Sequence, residues 1–231
     1  MLDFSPVSTL PADRRKTMVD CQIRTFDVTD LAVIDAFMAT PREQFVPSVD
    51  LAVAYSDAQQ VVASGGLRRT LLTPMVLARL LQGADIDKGC RVLDVGGGTG
   101  YSAAILARLA GSVIALEAGP GFRDDIAANA ARLDLESVHA RSGSLTKGAP
   151  ADGPFDVILL NGAVEDGLEA LFAQLASGGR LLCVMRALGQ VGRSGKATRF
   201  DKVGSDVSSR FLFDAAAPIL PGFERKAQFV F

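Results

Sequence analysis

The chain has 231 residues, 48% of them hydrophobic and 22% charged, enough apolar material for one sizeable core, or at most two small ones, and far too much for a disordered chain. Lys and Arg number 24 against 26 Asp and Glu, a formal charge of -2, without the basic excess of proteins that track phosphates, so nucleic acid is excluded as a principal partner. Cys21, Cys90 and Cys183 are odd in number and lack CxxC or His-rich spacing, so they read as buried thiols in a reducing compartment, with no metal site expected. There is no signal-like opening segment and no apolar run near the length of a membrane span, so no membrane contact and a cytoplasmic location are expected.

The opening dozen residues, with Pro6 and Pro11 among small and polar neighbours, read as an extended arm. Residues 14–24 place Met18, Cys21 and Ile23 near one helical face, and Asp27 or Thr29 is then positioned to cap a helix bearing Leu31, Val33, Ile34 and Phe37. Pro41 and Pro47 bracket the next stretch. Thr73 and Pro74 open a helix as N-cap and first-turn residue, running to Gly83. Together these make an N-terminal helical and substrate-side extension over residues 1–85.

From Cys90 the pattern changes to short apolar runs alternating with helical stretches. Strands are expected at 91–95, 113–117, 137–140, 155–160 and 180–185, with helices at 101–109, 122–133 and 168–175. Continuous apolar strands alternating with helices imply an α/β fold, a mostly parallel, doubly wound sheet covered on both faces. Residues 86–231 form this Rossmann-like core, integrated with the extension as one structural domain. Beyond Arg186 the sequence is looser, with strands expected at 210–213 and 228–231.

The segment Asp94-Val95-Gly96-Gly97-Gly98-Thr99-Gly100-Tyr101 passes from a buried strand into a helix, the context of a nucleotide-binding loop. Its glycines let the backbone turn tightly and approach a ligand, and free N–H groups at the helix start hold an anion. Gly98-x-Gly100-x-x-Ala103 formally matches a dinucleotide fingerprint, which keeps NAD open, although that register begins after the strand end and leaves Asp94 unexplained. Glu117 ends the next strand at the sheet's switch point, where a carboxylate accepts from both ribose hydroxyls. Ser144 lies after the third strand, where its hydroxyl can accept a hydrogen bond from a ligand or belong to a polar turn. Asn161 lies at the mouth of the fourth strand. His139, the only histidine, reads as structural.

The pattern Asp94-x-Gly96-x-Gly98-x-Gly100 resembles the first motif of class I methyltransferases. Thr29-Asp30 with 33–37, Pro41-Arg42-x-x-Phe45-Val46-Pro47, Ala54-Tyr55-x-Asp57, 70–76 and Gln174-Leu175-x-x-Gly178-Gly179-Arg180-Leu181 resemble protein-L-isoaspartate O-methyltransferases, from about Met18 to Met185. The resemblance implies S-adenosylmethionine as cofactor, held by Asp94, Gly96, Gly97, Gly98, Thr99, Gly100, Glu117, Ser144 and Asn161. It also implies methyl transfer to the isoaspartyl carboxylate of damaged proteins. The chemistry asks for alignment rather than a base, because such a carboxylate is already ionised at neutral pH. The substrate block departs from the family. Its Gln-Thr-Ile-Ser-x-Pro aligns on Pro74 to put Arg69 at the Gln position, Thr70 at Thr and Leu72 at Ser, and Gly-Asp-Gly becomes Gly143-Ser144-Leu145. Thr70, Leu72 and Thr73 are the substrate-site positions, with Arg68 or Arg69 available for an acceptor carboxylate. The alternative is a cofactor-binding family member whose isoaspartyl activity is lost or changed.

Overall fold

Sequence-local signals start the first helices, but packing chooses their ends. The computed structural model describes residues 10–46, 51–187, 192 and 194–225. Helix α1 (Pro11–Met18) carries Pro11 in its first turn, widens into a π-turn (Val19–Ile23) and then tightens into a 3-10 turn (Arg24–Phe26). Met18, Val19 and Ile23 are buried, whereas Cys21 is exposed, contrary to its reading as a buried thiol; Cys90 and Cys183 are buried. Helix α2 (Leu31–Ala39) is capped by Asp30, whose carboxylate accepts from the Ala32 and Val33 N–H groups. The expected caps serve elsewhere. Asp27 takes a left-handed conformation after the 3-10 turn, and the Thr29 N–H donates to Gln82 Oε1.

Helix α3 (Leu51–Ala54) leads into an antiparallel hairpin, β1 (Gln60–Ser64) and β2 (Leu67–Leu71), within the stretch read as helical. Its turn is Gly65-Gly66, both at positive φ (56 and 79), a conformation that glycine supplies without a Cβ clash. Helix α4 (Pro74–Gly83) follows. Thr73 stands at its N-cap with extended backbone, though its hydroxyl makes no capping bond.

The core is β3 (Arg91–Val95), α5 (Tyr101–Leu109), β4 (Ser112–Glu117), α6 (Pro120–Arg132), β5 (Val138–Ser142), β6 (Phe155–Val164), α7 (Glu169–Ala173), β7 (Leu175–Met185), β8 (Ser194–Val203) and β9 (Asp206–Ala216). The sheet order is β5-β4-β3-β6-β7-β8-β9. The first five strands are parallel, and the last two pairings, β7 with β8 and β8 with β9, are antiparallel. Alternate residues point to opposite faces. Val92, Val157, Leu159 and Leu182 join the cluster beneath α2, α4 and α5, while Leu93, Val95, Ile158 and Leu181 join one closed by Leu171, Leu220 and Phe223. The chain winds outward from β3 to β4 and β5, then returns beside β3 as β6, so the carboxyl ends of β3, β4 and β6 converge on the switch point where α/β sheets bind ligands.

After β9 the backbone bonds to β6: Ala163 N–H donates to the Pro218 carbonyl (2.8 Å) and Leu220 N–H to the Ala163 carbonyl (2.9 Å). This places Leu220, 3% exposed, at the switch point. The strand expected at 228–231 lies outside the described residues, as do Pro6 and Pro47. Among the described residues no helix is long and apolar enough to cross a membrane.

Candidate active site

Parallel pairing of β3 with β4 aligns Val95 with Leu116 and sets Asp94 and Glu117 on either side of the glycine loop. Asp94 is 1% exposed. Its Oδ2 accepts from Ser102 Oγ (2.7 Å) and its Oδ1 from Asn161 Nδ2 (2.6 Å), which also donates to the Val95 carbonyl (3.1 Å). Burial raises the Asp94 carboxyl to about 6, against the pull of those two hydrogen bonds and with a smaller push from Glu117. Ser102 was not singled out from the sequence. Its place in the first turn of α5, directly after the loop, is the signal that could have found it.

The loop turns tightly, and the chain itself covers it. Gly96 and Gly98 have φ of 73 and 64. A methyl at Gly96 would come within 2.8 Å of Leu220 Cδ2, and one at Gly98 within 2.9 Å of Val62 and 3.2 Å of Leu71 on the hairpin. Gly97 has no such freedom for another reason: a Cβ there would meet Ser102 Oγ at 2.6 Å and Asp94 Oδ2 at 2.8 Å. Thr99 bonds outward, its hydroxyl donating to the Phe45 carbonyl (2.5 Å), and Gly100 caps α5 at φ 94.

Glu117 is fully buried and accepts three hydrogen bonds. Oε1 accepts from Gly98 N–H (2.7 Å) and Arg69 Nε (3.1 Å), and Oε2 from Ala118 N–H (2.9 Å), with Arg69 Nη2 at 2.9 Å. Arg69, itself 6% exposed, also places its guanidinium 5.8 Å from the Phe122 ring centre. Of the two arginines read as candidates for an acceptor carboxylate, Arg69 is thus engaged with Glu117. Arg68 is exposed.

A cavity of about 310 Å³ opens beside this pair, lined by Arg68, Arg69, Thr70, Asn161 and residues 218–221. Thr70 therefore reaches the switch point. Leu72 does not line this cavity: it is 4% exposed within the main core, and its carbonyl accepts from Arg42 Nη2 (3.4 Å). Thr73 lines a separate cavity of about 590 Å³ with Asp57, Lys196 and Asp214. Ser144 is exposed and bonded to Thr146 (3.0 Å), and His139 is exposed on β5. Among the described residues no three His, Cys, Asp or Glu side chains gather to hold a metal ion.

The Pro41-Arg42-x-x-Phe45 block acts from behind the loop. Arg42 is fully buried, donates to the Ala54 carbonyl (3.1 Å) and lies 4.6 Å from the Tyr101 ring centre. Phe45 packs on the same ring at 5.5 Å. The block thereby fixes the start of α5 and the junction between the hairpin and α4.

Residues 13–211 match the family model described as protein-L-isoaspartate(D-aspartate) O-methyltransferase. The chain belongs to this family. It is 36% identical over 170 residues to the protein-L-isoaspartate O-methyltransferase of Opitutus terrae, covering 74% of this chain and 72% of that one. With the enzyme of that name from Methylorubrum extorquens it shares 38% over 171 residues, 74% and 73% of the two chains. A solved protein-L-isoaspartate O-methyltransferase superposes with a TM-score of 0.79 at 28% identity, over 90% of this chain and 66% of that chain, slightly less than two thirds of its length. A Plasmodium falciparum protein of the same family, solved with S-adenosyl-L-homocysteine, has the same fold (TM-score 0.72, 20% identity, 88% and 96% coverage). The Rossmann-like fold read from the alternating strands and helices is the observed one, and the family match, together with the register of Asp94 and Glu117 at the strand ends, leaves no support for the NAD reading.

Proposed function

We propose that this family member transfers a methyl group from S-adenosylmethionine to the carboxylate of isoaspartyl residues in proteins. The observation that carries it is the pair of buried strand-end carboxylates, Asp94 and Glu117, flanking the turn at 96–100. The donor set fits the cofactor. Glu117 is suited to the ribose hydroxyls, Asp94 and Asn161 to the ammonium side, and the backbone of Gly96–Gly98 to close approach. Bound there, S-adenosylmethionine supplies an electrophilic methyl on a sulfonium. The fit requires the hairpin and Leu220 to move from over the loop.

The chain's own task is alignment. An acceptor carboxylate with an ordinary pKa of about 3.5 to 4 is ionised at neutral pH and needs no base. Exposed Arg68 and half-buried Thr70 at the cavity suit it as charged and hydroxyl donors. The test is methyl transfer from labelled S-adenosylmethionine to matched isoaspartyl and aspartyl peptides. Ester formation on the isoaspartyl peptide alone is expected, and none on either peptide would sink the reading.

A second reading is favoured by one observation. Arg69 occupies Glu117, which supports a family member whose cofactor affinity and isoaspartyl activity are reduced or changed.

A further inference from the structure

Glu117 offers two oxygens, and four nitrogens surround them at 2.7 to 3.1 Å. Two of these are the amides of Gly98 and Ala118, built into the strand-to-helix connections on either side. The other two belong to Arg69: its Nε donates to Oε1, and its Nη2 stands in ion-pair contact with Oε2 without completing a hydrogen bond. A vicinal diol approaching the same carboxylate presents its two donors to the same two oxygens. It can be accommodated only by displacing the guanidinium. Arg69 does not stand alone in this position. Its neighbours on the hairpin, Val62 and Leu71, cover Gly98, and Leu220 covers Gly96 from the opposite side. Displacing Arg69 therefore means lifting the hairpin from the loop.

We infer that Arg69 is an internal competitor for the ribose diol, a latch that holds the hairpin closed on Glu117 and sets how tightly this chain binds its adenosyl cofactor. The inference rests on the methyltransferase reading of the site. The latch lowers affinity because ligand binding must first break a buried, hydrogen-bonded ion pair, and the apparent dissociation constant rises as the open fraction falls. An exit for the displaced group exists: the cavity of about 310 Å³ lined by Arg68 and Thr70 adjoins Arg69 directly.

The test is calorimetric titration of S-adenosylhomocysteine into the full-length protein, its Arg69→Gln and Arg69→Lys variants, and Arg69→Gln/Leu220→Ala. Gln removes the charge and Lys keeps it without the fork. Affinity should rise at least tenfold in Arg69→Gln, by less in Arg69→Lys, and most in the double variant. Hydrogen exchange of the amides at 60–71 should quicken in the free Arg69 variants and slow again on adding S-adenosylhomocysteine. Should Arg69→Gln fold poorly, the Arg69→Lys affinity and exchange decide. Equal or weaker binding by folded Arg69 variants, with methyl transfer intact in the wild type, overturns the latch and leaves the methyltransferase reading standing. No binding by any of the four proteins at millimolar ligand overturns the cofactor reading and the latch together.

Discussion

Asn161 Nδ2 lies 2.6 Å from Asp94 Oδ1, tying β6 to the end of β3 across the switch point. Burial holds that carboxyl at about 6, above an ordinary Asp near 3.8. The folded state thus binds the Asp94 proton more tightly than the unfolded chain. Its stabilising contribution is complete below pH 3.8 and lost as pH rises through about 6, a difference of roughly 3 kcal/mol. Replacing Asp94 with Asn keeps a group that can bond to Ser102 and Asn161 but cannot ionise. Denaturant unfolding from pH 4 to 8 should show the wild type losing stability relative to Asp94→Asn across that window. Parallel curves would refute the assignment.

The Arg69–Glu117 pair is buried, so removing one member strands the other. Glu117→Gln leaves a buried guanidinium without its counter-charge and should cost about 3 to 5 kcal/mol. Arg69→Met/Glu117→Gln removes both charges and should cost clearly less than the sum of its single changes. Urea unfolding of the four proteins in a double-mutant cycle measures this; strict additivity would show that the two groups are not coupled.

The parallel core was legible because its strands are buried on both faces and read as unbroken apolar runs, such as Val113 to Leu116 and Val157 to Leu160. The hairpin was not, because each arm has only five residues and the second carries Arg68 and Arg69 in its middle. Gly65-Gly66 was its one clear local mark. Strand β8 escaped for a similar reason: Lys196, Arg199, Asp201 and Lys202 break any apolar run, and the antiparallel ladder holds it instead. Strand β7 begins at Leu175, five residues earlier than expected, since Gly178-Gly179 lies within it rather than in a turn before it. At the site, strand-end position brought out Asp94, Glu117 and Asn161. That Arg69 would be buried against Glu117, 48 residues away, follows only from the tertiary path of the hairpin. Leu220 likewise reaches the loop only through its backbone pairing with Ala163.

The methyltransferase reading makes a separable demand on the cavity mouth. Arg68 is exposed there and should act by attracting and orienting an anionic acceptor. Arg68→Ala should raise KM for an isoaspartyl peptide several-fold with little change in kcat, and the effect should shrink at high salt because the contact is solvent-screened. Thr70→Val should instead lower kcat, since a lost positioning hydrogen bond misaligns the acceptor. Initial rates over a peptide concentration series at two ionic strengths separate these outcomes; an Arg68 variant with unchanged KM at low salt would remove it from acceptor binding.

Leu72 is where the sequence departs from its family's Ser-type hydroxyl, and a Leu72→Ser substitution appears at first to be a repair. The packing argues otherwise. The side chain is 4% exposed and shares a cluster with Leu71, Val76 and Tyr101, while its carbonyl is held by the buried Arg42. Serine there deletes most of a packed side chain and places a hydroxyl where apolar groups surround it. Truncating a buried Leu costs about 2 to 5 kcal/mol, and an unsatisfied hydroxyl adds to that cost. Leu72→Ser should therefore lower the unfolding midpoint markedly and give no gain in isoaspartyl turnover per folded molecule, with affinity for S-adenosylhomocysteine little changed. Thermal unfolding together with initial rates on the isoaspartyl peptide decides the matter. A variant of wild-type stability with faster isoaspartyl-specific transfer would show that residue 72 turns towards the acceptor during the reaction, and that the apolar side chain, rather than Arg69, restrains this enzyme.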